Sequence, residues 1–330
     1  MIRFATIGSN FIVHRFLEAA EQVSDFSYVA AYSRTHGVGE ELAKQYGATQ
    51  VYTDLQALAQ ASDIDAVYVA SPNALHKTQA ILMMKHGKHV LCEKPIASNA
   101  LEFEEMERVA KVNDVVLMEA MKSVHCPGFD AIKDHLFKLG IIRNVTFNFL
   151  QYSSRYDKYK NGIVENAFKP ELSNGALMDI GVYPIHVLLA LFGMPKSVQS
   201  SGIKLDNGAD ASGTILCKYD GFLATLIYSK IASFEGNQIQ GEAATMVIDK
   251  ISDIKQVEIL YPSGRKEEVA IEKQTTMVYE IEKFVQAIRT NDTSDLLATT
   301  RAQMVLLDEV RGQLGIVFPA DENKIKKNQS

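Results

Sequence analysis

The sequence predicts an α/β chain in two parts: a doubly wound parallel sheet over residues 1–121, then an α+β part over residues 122–330 built on a mostly antiparallel sheet covered by helices. Three observations carry this. Short apolar or β-branched runs alternate with amphipathic helical stretches through the first 120 residues, the pattern of consecutive strand–helix–strand units. Strand-like segments with no helices between them then take over, as an antiparallel sheet requires. The first strand also runs into Gly8 directly before a helix, where an open α/β sheet brings backbone N–H groups to an anionic ligand.

Each element follows from local pattern. Residues 2–7 read as a strand and 14–23 as a helix. Strand 26–32 and helix 39–46 come next, then a short strand at Val51 and Tyr52 and a helix over 55–60 capped by Asp54. Residues 66–70 form a fully apolar strand. Helix 74–86 offers Leu75, Ala80, Ile81 and Met84 to a buried face and stops at Gly87. Strand 89–92, helix 101–112 and strand 115–118 complete a series of six strands. Beyond Met121, helix 128–139 and strand 142–152 lead into a polar, tyrosine-rich loop over 153–174 and an apolar helix over 175–192. Strands are expected at about 196–205, 211–219, 222–230, 243–249, 255–261 and 265–271, with Asp220-Gly221 and Ser263-Gly264 as hairpin turns. Helices 278–289 and 301–314 close the chain, the last expected to pack back on the first part, and the polar tail 321–330 should fray.

Composition narrows the function. A length of 330 residues with 47% hydrophobic and 22% charged residues suits about two domains with real cores. Lys and Arg total 34 against 40 Asp and Glu, a net charge of -6, which argues against nucleic acid or an anionic membrane surface as partner. An anionic ligand must therefore be held by a local device. No apolar run approaches about 18 residues, so no membrane span is expected. Cys92, Cys126 and Cys217 lack paired spacing, which fits free thiols in a reducing, cytoplasmic compartment. No metal site is expected.

Four strand ends and one helix carry the candidate chemistry. Gly8-Ser9-Asn10-Phe11-Ile12-Val13 keeps only the first glycine of the phosphate loop G-x-G-x-x-G/A. Asn tolerates positive φ better than other side chains, so Asn10 substitutes for the second glycine, while Val13 should hold the helix further from the strand. Gly8, Asn10, Phe11 and Ile12 are thus candidate cofactor contacts, with an ordinary strand-to-helix turn as the rival reading. The second strand ends in Tyr32-Ser33-Arg34-Thr35. An NAD-selective site places Asp or Glu about there, whereas the hydroxyl of Ser33 and the guanidinium of Arg34 suit a 2′-phosphate. A merely solvated arginine is the alternative.

The fourth strand ends Ala70-Ser71-Pro72-Asn73-Ala74-Leu75-His76, at the carboxyl edge of a central strand. Ser71 and Pro72 line that exit, Asn73 caps the following helix or faces the ligand, and His76 is a helix-surface histidine or a contact to the cofactor ribose. The fifth strand ends Cys92-Glu93-Lys94-Pro95. Burying Glu93 and Lys94 there is costly without a partner or ligand, and Pro95 forces an extended geometry that aims the Lys94 ammonium into a cleft. In the apolar helix, Asp179 and Tyr183 are four apart and share a face, with His186 near it. Pro184 should kink the helix at the tyrosine. A core tyrosine plus an aspartate favouring the helix dipole is the rival reading.

Together and in this order, these segments resemble the glucose-fructose oxidoreductase / inositol dehydrogenase / rhizopine-catabolism (Gfo/Idh/MocA) family over nearly the whole chain. Glu93-Lys94-Pro95 and the Asp179/Gly181/Tyr183 helix are the most specific parts. Many relatives carry His where this chain has Tyr183, and tyrosine there is similar to the branch holding dimeric dihydrodiol dehydrogenase and NADP-dependent D-xylose dehydrogenase. The resemblance implies a Rossmann domain, NADP as cofactor with NAD as the alternative, and hydride transfer between nicotinamide and a small hydroxylated, sugar-like or dihydrodiol substrate. It also implies Lys94 and Tyr183 as the catalytic pair, with Asp179 orienting the lysine or the substrate hydroxyls. A phenol titrates at about 10, too high for an efficient base at neutral pH, and a cationic Lys94 close by would lower that value.

Two departures stand out. Asn10 and Val13 replace small residues, and Lys122 stands where related enzymes commonly carry an aromatic, in a chain with no Trp at all. The resemblance therefore does not name the substrate. A catalytically idle dinucleotide- or sugar-sensing protein is the alternative, against which the presence of both Lys94 and Tyr183 speaks. A homodimer or higher homo-oligomer through the C-terminal sheet is expected, covering apolar residues such as Phe222, Ala224, Leu226 and Tyr228 if they face outward; the sequence leaves open which alternating set does so.

Overall fold

A computed structural model describes residues 1–234, 236–272, 276–293 and 296–322, so most of the tail expected to fray lies outside the described residues. Two compact units emerge, one comprising Met1–Ala120 with Thr275–Ala298 and the other Met121–Gln274 with Thr299–Ser330.

In the first unit the strands are β1 Ile2–Ile7, β2 Phe26–Tyr32, β3 Gln50–Tyr52, β4 Ala66–Val69, β5 His89–Glu93 and β6 Leu117–Ala120. They pair in parallel in the order β3-β2-β1-β4-β5-β6. Because a parallel sheet is covered on both faces, Ala-Val-Tyr-Val of β4 is buried at every position. The intervening helices are α1 Phe11–Ala20, α2 His36–Tyr46, α3 Leu55–Gln60, α4 Asn73–Lys85 and α5 Ala100–Val112. Asp54 caps α3 as its sequence requires, accepting from Gln56 N at 3.0 Å and Ala57 N at 3.3 Å. Leu75, by contrast, is exposed, and α4 buries Ala80, Ile81, Met83 and Met84.

Strand order reverses direction at β1, whose neighbours are β2 and β4. The crevice outside the carboxyl ends of β1 and β4 is the ligand position of this topology. Aromatic stacking fixes the core beneath it: Phe4 lies on Phe26 at 4.0 Å and Phe16 on Tyr68 at 3.7 Å between centroids.

The second unit starts with α6 Pro127–His135 and β7 Ile142–Leu150. Within the expected loop lie α7 Ser154–Lys160 and short 3-10 turns at Asn166–Phe168 and Pro170–Leu172. A π-helical turn, Leu177–Gly181, then leads into α8 Val182–Phe192. The strands β8 Ser197–Lys204, β9 Asp210–Lys218, β10 Leu223–Ser229, β11 Asn237–Gly241, β12 Thr245–Ile248, β13 Val257–Leu260 and β14 Lys266–Val269 follow. Their order is β14-β13-β12-β11-β7-β10-β9-β8, antiparallel except where β7 and β10 run parallel. Hairpins turn at Gly221 (φ 85°) and Gly264 (φ 86°), where only glycine is at ease. Strand β11 lies outside every segment expected from the sequence, because Asn-Gln-Ile-Gln-Gly offers one apolar residue, Ile239, to the core.

The structure decides which set of β10 faces outward, and it is not the example set named from the sequence. Ala224, Leu226 and Tyr228 face inward and are fully buried, since α8 and the turn before it lie against β10; Leu223, Thr225 and Ile227 form the outward set, and Phe222 stacks on Tyr219. Helix α9 Thr276–Thr290 groups with the Rossmann sheet, and α10 Ala298–Leu314 groups with the second unit. Helix α9 buries Val278, Ile281, Phe284 and Val285 in the core around Phe4 and Phe26. Pro170–Phe192 is long and apolar enough to cross a membrane by length and composition alone, yet 72% of its apolar 18-residue window is buried within the fold.

Candidate active site

The loop after β1 is built from two residues that meet the end of β4. Gly8 has φ 123°, and a Cβ on it would stand 2.6 Å from the Ala70 carbonyl oxygen, so only glycine fits. Asn10 has φ -84°, not the positive value expected of a glycine substitute, and works through its side chain. Its Oδ1 accepts from Ile12 N at 3.1 Å and caps α1, while Nδ2 donates to Ala70 O at 3.2 Å. This cap also starts the helix at Phe11, earlier than periodicity indicates. Val13 is fully buried and Phe11 is 61% exposed. No acidic residue occupies the first turn, which leaves the positive end of the helix dipole for an anion.

At the end of β2, Ser33 is buried and its Oγ accepts from Thr35 N at 3.4 Å, so the hydroxyl shapes the turn. Arg34 beside it is exposed, and no carboxylate occurs between Tyr32 and Gly37.

Beyond β4, Pro72 rather than Asn73 is the N-cap of α4; Asn73 is its first helical residue and is buried. His76 is buried, not on the surface. Its Nε2 lies 2.8 Å from Ser71 O and its Nδ1 3.0 Å from Pro95 O, which ties the loop after β4 to the loop after β5. Burial pushes its pKa down. With both ring nitrogens on backbone carbonyls, His76 supports the loops from behind.

Glu93 is buried with the partner that burial demands: Tyr68 OH donates to its Oε1 at 2.5 Å from the neighbouring strand. Lys94 is half-buried and joined to Pro95 by a cis peptide bond. Glu119 of β6, also buried, accepts from Ile96 N at 3.0 Å and holds the far side of that loop. Sequence reasoning missed Tyr68 and Glu119 as supports. The available signal was a polar side chain inside each of two otherwise apolar strands, Ala-Val-Tyr-Val and Leu-Met-Glu-Ala.

In the second unit the π-helical turn presents Asp179 just ahead of Tyr183. The buried Asp210 of β9 accepts from Leu177 N at 2.6 Å, and burial raises its pKa to about 6. A Cβ on Gly175 would fall 1.9 Å from Asp210 Oδ1, and one on Gly181 would meet the Tyr228 ring at 3.0 Å. Both glycines thus let the turn sit down on the sheet. Proline cannot accommodate an ordinary helical carbonyl four residues back, and the wide turn precedes Pro184 directly. The distortion expected at the tyrosine falls in that turn.

Asp179 Oδ2 pairs with the ammonium of Lys230, a residue sequence reasoning did not single out. Tyr183 is half-buried, its ring 5.6 Å from that of Phe149. His186 turns away into the core instead, its Nδ1 2.6 Å from Gln303 Oε1 of α10, and burial lowers its pKa to about 4. Lys122 opens a short 3-10 turn, Lys122–Val124, and is half-buried. Among the described residues, no group of His, Cys, Asp and Glu is arranged to hold a metal ion.

Comparison with known proteins places these features in context. Residues 2–121 match the family described as "Oxidoreductase family, NAD-binding Rossmann fold", and residues 138–247 match the "GFO/IDH/MocA C-terminal domain". The scyllo-inositol 2-dehydrogenase (NADP(+)) IolU of Bacillus subtilis is 50% identical over 98% of this chain and 100% of its own length. Trans-1,2-dihydrobenzene-1,2-diol dehydrogenase of Xenopus tropicalis is 27% identical over 89% of this chain and 92% of its own. Among solved structures, KijD10, a 3-ketoreductase from Actinomadura kijaniata in complex with NADP and TDP-benzene, superposes with a TM-score of 0.86 at 23% identity, covering 96% of this chain and 99% of that one. The last likeness speaks to fold.

Proposed function

The chain belongs to the Gfo/Idh/MocA oxidoreductase family, and from that premise we propose that it is an NADP-dependent dehydrogenase interconverting a ring CH–OH and a carbonyl in a cyclic polyol. The relative acting on scyllo-inositol, half identical from end to end, supports the polyol class. The dihydrodiol dehydrogenase supports a ring bearing neighbouring hydroxyls.

The residues at the strand ends fit NADP. Gly8 allows close backbone approach at the open end of α1, where Asn10, Phe11 and Ile12 would receive the pyrophosphate. Ser33 and Arg34, with no carboxylate nearby, would take the 2′-phosphate. Ser71, Pro72 and Asn73 would line the exit of β4, with His76 behind them, and Glu93 and Lys94 the exit of β5. The bound nicotinamide supplies the two-electron exchange. Tyr183 is assigned the proton transfer to and from the substrate oxygen, Lys94 the ammonium that assists it, and Asp179 the orientation of the hydroxyls.

The observation that carries the reading is the wide turn before α8. Asp210 and Lys230 hold it so that an ion-paired carboxylate and a half-buried phenol stand four residues apart. The test is turnover of cyclic polyols, aldoses and dihydrodiols with NADP, comparing wild type with Tyr183→Phe. Turnover of a cyclic polyol that Tyr183→Phe loses is expected. A wild-type chain that binds NADPH yet turns over every substrate no faster than Tyr183→Phe would instead be the idle sensor.

Assembly and location belong to the same proposal. The outward face of the large sheet pairs Thr225 with Leu216 and Ile227 with Thr214 across adjacent strands, which supports a second copy as its cover. A monomer by light scattering would contradict this. Three buried free thiols support a cytoplasmic location.

A further inference from the structure

Lys230 sits just past the end of β10, fixed by its own backbone: its N–H donates to Ala211 O at 2.8 Å and its carbonyl accepts from Ser153 N at 2.9 Å. The side chain turns inward, ending 5.3 Å from the centroid of the Phe168 ring. Phe168 is itself held, since Asn207 Nδ2 donates to its carbonyl at 2.6 Å. The ammonium then meets Asp179 Oδ2.

The pair is unequal. The Lys230 side chain is 4% exposed, whereas Asp179 keeps 30% of its side-chain surface open. An ammonium sealed to that extent is expensive unless an anion faces it, so its burial demands a carboxylate at this point. Exposed ion pairs swing freely and contribute little; here the closed member rigidly locates the open one.

We propose that Lys230 is a positioning residue: it helps lock Asp179 in one rotamer so that the solvent-exposed part of the carboxylate accepts hydrogen bonds from polyol hydroxyls. The inference rests on the polyol reading above. Lys230 acts through Asp179 and not on the substrate, and this separates it from a lysine that binds hydroxyls directly.

A double-mutant cycle tests it on the full-length protein with NADP. Lys230→Met keeps the bulk and removes the charge, and about a tenfold rise in KM for scyllo-inositol is expected with NADPH affinity unchanged. Lys230→Arg should recover part of that loss. Asp179→Asn should raise KM similarly, and the double variant should be no worse than Asp179→Asn alone. Multiplying losses, or an unchanged KM in Lys230→Met, overturn the proposal. A crystal structure of Lys230→Met gives a readout independent of turnover. A displaced Asp179 side chain supports the lock even if no polyol is turned over, in which case the polyol reading alone fails. An Asp179 in its original rotamer overturns the lock.

Discussion

Tyr68 donates its hydroxyl proton to the buried carboxylate of Glu93 across the β4–β5 pair, with 2.5 Å between the oxygens. This cross-strand bond supports the residue preceding Lys94, with Tyr68 as the polar side chain in the otherwise apolar strand β4. Tyr68→Phe removes the donor from a carboxylate that stays buried. Hydrogen bonds to charged groups contribute about 1.5–3 kcal/mol, so urea unfolding should show a loss of that order. Unchanged stability would mean that the bond contributes nothing.

Arg34 provides the test of cofactor choice. The guanidinium is exposed beside Ser33 and suited to forked hydrogen bonding with a phosphate. Arg34→Ala is expected to weaken NADPH binding about tenfold or more while leaving NADH binding nearly unchanged, by fluorescence titration. Equal losses for both would remove the 2′-phosphate assignment.

Asp210 gives a pH signature. Burial raises its pKa from 3.8 to about 6, so the fold prefers the protonated form. Its contribution is therefore greatest below about pH 4 and is lost as pH rises toward 6. Asp210→Asn retains an oxygen for Leu177 N without the buried charge. It should be more stable than wild type at pH 7 by about 1–3 kcal/mol, and the advantage should vanish below about pH 4. A variant less stable at pH 7 would mean that the Asp210 charge is needed.

His186 acts in the opposite sense. Its pKa is lowered from 6.5 to about 4 by burial, so it supports stability while neutral and withdraws that support as pH falls between those values. The stability–pH slope in this window should flatten in His186→Gln. An identical slope would place the acid sensitivity elsewhere.

The sealed lysine predicts a reversal between backgrounds. Asp179→Asn leaves Lys230 buried without its anion and should cost about 3–5 kcal/mol. Adding Lys230→Met should restore most of this, measured by thermal melting. If the double variant is the less stable of the two, the ammonium has another counter-charge.

Local chemistry made much of the fold legible. Alternating strands and helices, the Asp54 cap and the two glycine hairpins all follow from residues within a few positions of one another. Partners set by tertiary contact were not legible. Lys230 is 51 residues from Asp179, and no periodicity links them. Asn10 read as a glycine substitute, because sequence cannot tell a side chain that tolerates positive φ from one that caps. On β10 both alternating sets contain apolar residues, so a period of two left open which one faces the core. His76 looked like a helix-surface residue until the loops after β4 and β5 closed around its ring.

Turnover of scyllo-inositol with NADP by wild type and Tyr183→Phe, at matched NADPH occupancy, is the most direct test of an oxidoreductase that uses Tyr183 as acid and base. General acid–base groups contribute about 100- to 10,000-fold, so kcat should fall by that much in Tyr183→Phe while NADPH affinity is retained. Equal kcat in the two proteins would contradict the role of Tyr183.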